Sequence, residues 1–314
     1  MFDITVIIAA WQADPTIDRS VDSALCQLDV SKQVVVIDDA SHDGLKDRLS
    51  TRTDIELEAL RVNGGPAAAR NRGLDVARGT WVAVLDADDT MEPHRLRRMI
   101  DQAERQNADV ILGNFRRVDE AGQPVDVQPF LDPRRVKHDE PVSMEKYVGR
   151  NQVRPNAPSL GYLKPIFRRS FLEAKGLRYN TELRNGEDCH LIFAFLAAGA
   201  RVFIAPEPDY LYTVRSGSIS HRANPEHISA LINADKEFVN QFTGQLSSQV
   251  KRLFQSRDRA LSQLILTERA MQFLKNRQVG DAISLLIRNP LVTGRVTRQL
   301  CESLTKRVDR QLKR

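Results

Sequence analysis

The sequence predicts an α/β protein: a mostly parallel sheet flanked by helices, followed by a basic helical extension at the C-terminal end. Three observations predict it. Over the first hundred residues, short apolar runs alternate with amphipathic helical stretches, the rhythm of a parallel sheet covered on both faces. The run Trp81-Val-Ala-Val-Leu85 is followed at once by Asp86, Asp88 and Asp89, and the C-terminal edge of a parallel sheet is where open α/β folds bind ligands. From Pro225 onward the pattern is helical and rich in Lys and Arg.

Taken in order, Ile4 to Ala9 reads as a buried strand, and Asp14-Pro15 opens a helix with Ile17, Val21, Ala24, Leu25 and Leu28 on one face. Gln33 to Ile37 is a second strand ending in Asp38-Asp39, and Ile55 to Leu60 a weaker third. Asn63-Gly64-Gly65-Pro66 is a turn, with Pro66 placed to start a helix through Ala77. Trp81 to Leu85 is the fourth strand, and Glu92 to Gln106 the next helix. Asp109 to Leu112 and Phe115 to Val118 read as two further strands. Residues 120–160, rich in Pro, Asp and Asn, form a long excursion suited to contacting an acceptor. A strand at Ile166-Phe167 and helices at Ser170 to Lys175 and Glu187 to Ala198 follow. Arg201 to Ala205 and Tyr210 to Val214 close the sheet, and Gly280 and Asn289-Pro290 punctuate the helical tail.

Composition narrows the class. At 314 residues, 41% hydrophobic and 28% charged, the chain has the make-up of an ordinary globular protein with room for one large or two modest domains. Cys26, Cys189 and Cys301 fit neither a disulfide framework nor a zinc site and point to a reducing compartment. No basic stretch precedes the first apolar run, so a signal peptide is not expected. The run from Leu191 to Ala200 is too short to span a bilayer, and a cytoplasmic protein is the expectation. Residues 251–314 hold 15 Lys and Arg against 5 Asp and Glu, while the whole chain is only +5. Such a tail suits an anionic membrane surface, a nucleic acid or an acidic partner, or is simply a wet helical face.

Three carboxylates within four positions repel unless a cation separates them. Oxygen ligands suit Mg2+ or Mn2+, and a metal held by one or two carboxylates completes its shell with water and phosphate. The competing reading makes Asp88, Asp89 or Thr90 the cap of a helix whose first turn contains Glu92 and Pro93. The first strand is followed by Ala9-Ala10-Trp11-Gln12, with neither a glycine-rich dinucleotide turn nor a phosphate-loop lysine. Phosphate charge would therefore be met by metal and by Arg70 or Arg72. Asp38 and Asp39 stand on the same sheet edge, where a carboxylate can accept from a base or ribose or cap the turn before the 43–50 helix. Trp11 is a candidate to stack on a base or to pack beside the sheet. His221 is a candidate for metal or diphosphate contact or a plain exposed loop histidine, whereas His190 and Cys189 read as packing residues.

Asp38-Asp39-Ala-Ser41, Gly65-Pro-Ala-Ala-Ala-Arg70-Asn71-Arg-Gly73, Leu85-Asp86-Ala-Asp88-Asp89 and Asn185-Gly186-Glu187-Asp188 occur in that order. The chain thereby resembles glycosyltransferase family 2 with a GT-A fold, of the bacterial exopolysaccharide type similar to succinoglycan glucosyltransferases. The likeness spans residues 4 to about 215 and leaves the tail uncovered. It implies a catalytic domain over 1–222, with a nucleotide-sugar-binding half (1–115) and an acceptor-binding half (116–222), and a basic helical extension over 223–314. It also implies roles. Asp39 would read the uracil of a UDP-sugar with Asp38, Ala9 and Trp11 beside it; Arg70 would line the donor pocket; Asp86 would contact ribose or sugar. Asp88 would ligate Mg2+ or Mn2+, with His221 a separate candidate for the same metal; Asp188 would be the general base and Glu187 would position it or the acceptor. Two departures are visible: Trp11-Gln12 stands where the family often has Tyr-Asn, and Cys189 where many relatives carry an aromatic or polar residue.

The implied activity is inverting transfer of a sugar, glucose by expectation, from UDP to a saccharide acceptor that is lipid-linked. Diphosphate departure calls for a divalent ion and hydroxyl attack for a base, so two acid clusters are needed; Asp86/Asp88 and Glu187/Asp188 supply them. Peripheral contact with the inner face of the plasma membrane is expected, and no nucleic acid. The alternatives are a metal-dependent nucleotidyltransferase and a non-catalytic nucleotide-sugar-binding protein.

Overall fold

The computed structural model describes residues 2–153, 158–215 and 224–298. The chain divides into two units, residues 1–218 and 219–314. In the first, the strands are β1 (Ile4–Ala10), β2 (Lys32–Asp38), β3 (Glu56–Ala59), β4 (Trp81–Asp86), β5 (Thr90–Met91), β6 (Val110–Val118), β7 (Lys164–Arg168) and β8 (Val202–Thr213). They form one mixed sheet in the order β3-β2-β1-β4-β7-β6-β8-β5. The β3-β2-β1-β4 edge is parallel throughout and β6 runs parallel to β8. β7 is antiparallel to both its neighbours, and β5 is antiparallel to β8.

The apolar runs are continuous because the central strands are covered on both faces. Ile4, Val6, Ile7 and Ile8 of β1 and Val35 to Ile37 of β2 are fully buried. The order reverses at β1, whose neighbours are β2 and β4, making the switch point where a crevice opens. Register brings the strand ends together there: Ala9 lies opposite both Ile37 and Asp86, and Ala10 opposite Asp38.

Helices of this unit are α1 (Ile17–Leu25), α2 (Leu45–Leu49), α3 (Pro66–Val76), α4 (Arg95–Arg105), α5 (Met144–Arg150), α6 (Arg169–Ala174) and α7 (Glu187–Ala197). Several expectations are corrected. α1 starts at Ile17 behind Thr16, and Leu28 lies past its end, exposed. α4 begins at Arg95, not Glu92, because Thr90–Met91 pair with Leu211 and Tyr210 instead of entering the helix. Asp88, Asp89 and Thr90 are therefore not its caps. The two segments between 109 and 118 form one strand, β6, carried across an irregularity between Gly113 and Phe115. The buried Asn114 side chain satisfies the backbone there: it donates to Leu131 O and Pro206 O and accepts from Phe115 N and Leu131 N. Likewise 201–214 form one long strand, β8. The 120–160 excursion contains α5, capped by Ser143, whose hydroxyl accepts from Lys146 N.

The second unit holds α8 (Pro225–Gln241), α9 (Ser248–Lys275) and α10 (Val279–Arg288), with residues 290–298 helical again. Phe238 packs on Phe254, and Arg257 pairs with Asp235 at 2.8 Å. Ala270, Val292 and Val296 form a small core flanked by Leu266, Met271, Leu274, Leu285 and Leu286. Val279, Ile283, Ile287 and Leu291 point outward and are more than half exposed. Among the described residues, no helix is long and apolar enough to cross a membrane.

Candidate active site

The site grows from the ends of β1, β2 and β4. Asp39, just past β2, accepts from Gly64 N and Gly65 N at 2.8 and 2.7 Å, which pins the turn leading into α3. Gly65 has φ +84°, a left-handed conformation that a residue with a side chain would hold only under strain. α3 then sits close on β1, because a Cβ on Gly73 would lie 2.4 Å from Ile7. Its phase turns Arg70 inward, where it is 5% exposed.

Arg70 gathers three acids. Its guanidinium reaches Asp86 at 2.9 Å, Glu187 at 2.5 Å and Asp188 at 3.2 Å, with the Tyr179 ring beneath it. Lys164, the first residue of β7, binds the other oxygen of Asp86 at 2.5 Å. Burial opposes a charge on Asp86, but Lys164 and Arg70 outweigh it and hold the carboxyl well below the usual range. Glu187 goes the other way: burial pushes it up and Arg70 only partly offsets this. Glu187 and Asp188 occupy the first turn of α7, where the helix dipole also favours acids.

The three acids at the end of β4 have different surroundings. Asp86 is doubly paired. Asp89 is buried and accepts from the Tyr210 hydroxyl and from Thr213 N, both at 2.7 Å. Burial first, and the charge of Asp86 second, push its carboxyl up to about 8. Asp88 is half-buried; its carboxyl is met by its own backbone N–H, and among the described residues no ion pair engages it. Burial and Asp86 raise its carboxyl, with the charge of Arg215 opposing. An acid held up in this way is stabilised by an added cation. The described residues hold no group of three His, Cys, Asp or Glu placed to bind a metal. Asp88 with diphosphate oxygens and water is a donor set that fits Mg2+ or Mn2+.

The structure brings Ala9, Asp38, Asp39, Arg70, Asp86, Asp88, Glu187 and Asp188 to one sheet edge. Asp38 accepts from Ser41 N at 3.0 Å. Trp11 is 52% exposed, so the reading that packs it beside the sheet is set aside. Arg72 leaves the site, since it pairs with Glu58 on the surface at 3.0 Å. Arg70 is engaged by carboxylates, which corrects the reading of it as a cation open to phosphate. His190 is buried edge-on against Phe193, and Cys189 is buried. His221 lies outside the described residues. Lys164, Tyr179, Arg184, Tyr210 and Arg215 were not singled out from the sequence. The only local hint was for Lys164, a lone cation heading an apolar strand.

A family model described as glycosyl transferase family 2 matches residues 5–169. The chain is 34% identical over 308 residues to the succinoglycan biosynthesis protein ExoO of Rhizobium meliloti (strain 1021), covering 97% of this chain and 86% of the relative. It is 35% identical over 246 residues to ExoU, the succinoglycan biosynthesis protein of the same organism, covering 76% and 69%. Among solved structures, S. aureus TarS 1-349 in complex with UDP-GlcNAc superposes with a TM-score of 0.59 at 17% identity over 92% of each chain. The mannosyltransferase PcManGT from Pyrobaculum calidifontis, in complex with GDP-Man and Mn2+, gives 0.57 at 18% identity over 95% of this chain and 84% of that one. The fold is the one these transferases share.

Proposed function

The chain belongs to glycosyl transferase family 2, and from that premise we propose that it is an inverting enzyme moving glucose from UDP to a saccharide hydroxyl in bacterial exopolysaccharide synthesis. The names of ExoO and ExoU support the pathway class. The nucleotide-sugar complexes of the two structural neighbours support the donor class. One observation carries the reading: a single buried guanidinium, Arg70, joins Asp86 at the donor edge to Glu187 and Asp188 at the head of α7. Two acid clusters with different tasks are thus fixed within one centre.

In this reading Asp38, Asp39, Ala9 and Trp11 hold the uridine, and Asp86, oriented by Arg70 and Lys164, accepts from donor hydroxyls. Asp188, the more open of the acids at α7, takes the proton from the attacking acceptor hydroxyl. Glu187, fixed on Arg70, keeps Asp188 in position. The acceptor oxygen bonds to the anomeric carbon as the bond to the diphosphate breaks, and the electron pair leaves on the phosphate oxygen. Displacement from the opposite face converts an α-linked donor to a β-linked product. Asp88 would hold a Mg2+ or Mn2+, which when bound supplies Lewis-acid stabilisation of the diphosphate. Residues 1–115 serve the donor and 116–222 the acceptor. The extension 223–314 lies against anionic membrane and brings the enzyme to a lipid-linked acceptor.

The test is UDP release over a panel of UDP-sugars with a saccharide acceptor, with and without Mn2+. Mn2+-dependent UDP release, fastest from UDP-glucose, is expected. Pyrophosphate release would instead indicate nucleotidyl transfer, and binding without turnover a non-catalytic protein.

A further inference from the structure

The acids and cations at the sheet edge handle charge and protons. A neutral sugar ring is held by other means, above all by its C–H faces on aromatic rings, whose π faces are electron-rich. One exposed ring stands beside these acids. Tyr162 ends a short helical turn, Leu160–Tyr162, two residues before Lys164, and is 59% exposed.

The turn that carries it is fixed. Leu160 is buried, Gly161 N donates to Asn151 Oδ1 at 2.7 Å, and the Ser159 hydroxyl donates to the same oxygen. A Cβ on Gly161 would lie 3.1 Å from Cys189 Cβ, so the turn packs on the residue that follows Asp188. On the other side the chain runs into Lys164, which is bonded to Asp86. Tyr162 is thus held between a contact next to Asp188 and a contact to Asp86.

The ring is also backed. Phe130 meets it edge-on, 6.1 Å between centroids, and stacks on Phe115 at 4.4 Å. Phe115 leans on Tyr212 at 5.7 Å, and Lys164 Nζ lies 5.8 Å from the centre of the Tyr212 ring, closing the tier on the Asp86 side. A lone exposed aromatic is ordinary on a protein surface. One carried by a fixed turn, supported by further rings and set beside a polar site is built as a binding platform.

We propose that the Tyr162 ring is the stacking platform for the acceptor saccharide, taking the apolar C–H face of the pyranose that carries the attacking hydroxyl. The inference rests on the glycosyl-transfer reading above and adds the group that orients the acceptor. Stacking sets the plane of the sugar and leaves its rim of hydroxyls clear, so that one of them can be presented to Asp188.

The experiment is saturation-transfer NMR on the full chain with UDP and Mn2+, using methyl β-glucoside, methyl β-galactoside and cellobiose as probe sugars. It is repeated on Tyr162→Phe and Tyr162→Ala, each checked for an unchanged melting profile. In the parent, saturation is expected on the ring C–H protons of one sugar face. Tyr162→Ala should lose that pattern and weaken sugar binding about 3- to 10-fold, the scale of one aromatic contact. Tyr162→Phe, which keeps the ring and drops only the hydroxyl, should stay within about two-fold of the parent. UDP affinity should be unchanged in both. The proposal is overturned if Tyr162→Ala binds the sugars like the parent, if Tyr162→Phe loses as much as Tyr162→Ala, or if UDP affinity falls in step with sugar affinity. It is overturned too if the UDP-loaded parent binds none of the probe sugars, an outcome that leaves the donor reading standing. A parent that binds no UDP brings down the donor reading first and the platform with it.

Discussion

The two units carry buried charge differently. In the second, Asp235 and Arg257, 3% and 7% exposed at their side chains, meet at 2.8 Å and join α8 to α9. The first has a buried pair of the same kind in Arg95 and Asp209, but at its sheet edge one buried arginine faces three acids, one acid faces two cations, and Asp88 next to them has no ion-pair partner among the described residues. A matched buried pair can often be replaced by apolar residues at no cost in stability. Overloaded or unpaired buried charge serves stability still less, and its concentration at one sheet edge is what marks the candidate site. Exposed surface shows the converse. Between 275 and 298 the second unit displays Lys275, Arg277, Arg288, Arg295 and Arg298 against Asp281 alone, with an apolar stripe beside them.

The comparison breaks most visibly at Asp88. If the unpaired acid is the metal ligand, Asp88→Ala abolishes transfer, by about 10³-fold or more for loss of several kcal/mol of charge stabilisation. Metal-dependent UDP binding goes with it, while the melting temperature holds, because a half-buried acid at a strand end is not core. An alanine variant that keeps full activity, or a parent enzyme indifferent to EDTA, removes the assignment.

Asp188→Asn comes next. The amide keeps the shape and the contact with Arg70 but cannot take a proton. Turnover falls by about 10²–10⁴, the usual worth of a general base, while donor KM changes by only a few-fold. Weakened donor binding with turnover preserved at saturation would place the base elsewhere.

Asp89 sharpens the contrast through pH. Its carboxyl is pushed up to about 8 in the fold, chiefly by burial and then by Asp86, against about 3.9 in an unfolded chain. Between those values the native state binds the proton and the unfolded state does not, so this acid's contribution to stability declines as pH rises toward 8. Asp89→Asn, which cannot ionise, should flatten that decline in urea titrations from pH 5 to 8. An unchanged slope would mean that Asp89 is ionised at its Thr213 and Tyr210 contacts.

How much of this was legible in the sequence follows from range. Strands β1, β2 and β4 are apolar runs, the last two closed by acids, so both the sheet and its acid-bearing edge can be read locally. Lys164 cannot, because it reaches Asp86 only when β7 inserts antiparallel between β4 and β6. Arg70 was readable as a site residue, but its engagement with Glu187, 117 positions away, was not. β5 is two residues long and pairs with β8, so Glu92-Pro93 imitated a helix start. Arg215 lies just past β8, a strand that reads as two separate ones.

The smallest effect concerns the second unit, and it leaves the chemistry untouched. Val279, Ile283 and Ile287 are spaced four apart along α10, and Leu291 continues the stripe past the Asn289-Pro290 break; each is more than half exposed. On the opposite side, Ala282 is buried, and Leu285 and Leu286 pack on the core of Ala270, Val292 and Val296. The helix thus has an inner face already satisfied and an outer apolar face flanked by cations. An amphipathic helix of this kind lies in a lipid interface rather than crossing it. Each Lys or Arg near an anionic surface contributes about 1 kcal/mol, and each apolar side chain that leaves water adds up to about 1.5–3 kcal/mol. The full chain should therefore float with vesicles containing phosphatidylglycerol at low salt, float poorly with phosphatidylcholine alone, and be partly released by high salt, which screens the charges but not the stripe. Replacing Ile283, Ile287 and Leu291 by Ser should abolish flotation and leave transfer to a soluble acceptor intact, since the three side chains carry little of the fold. If the triple variant still floats, the stripe is not the anchor. If the parent does not float but light scattering shows a dimer that the variant loses, the stripe joins two copies of the chain.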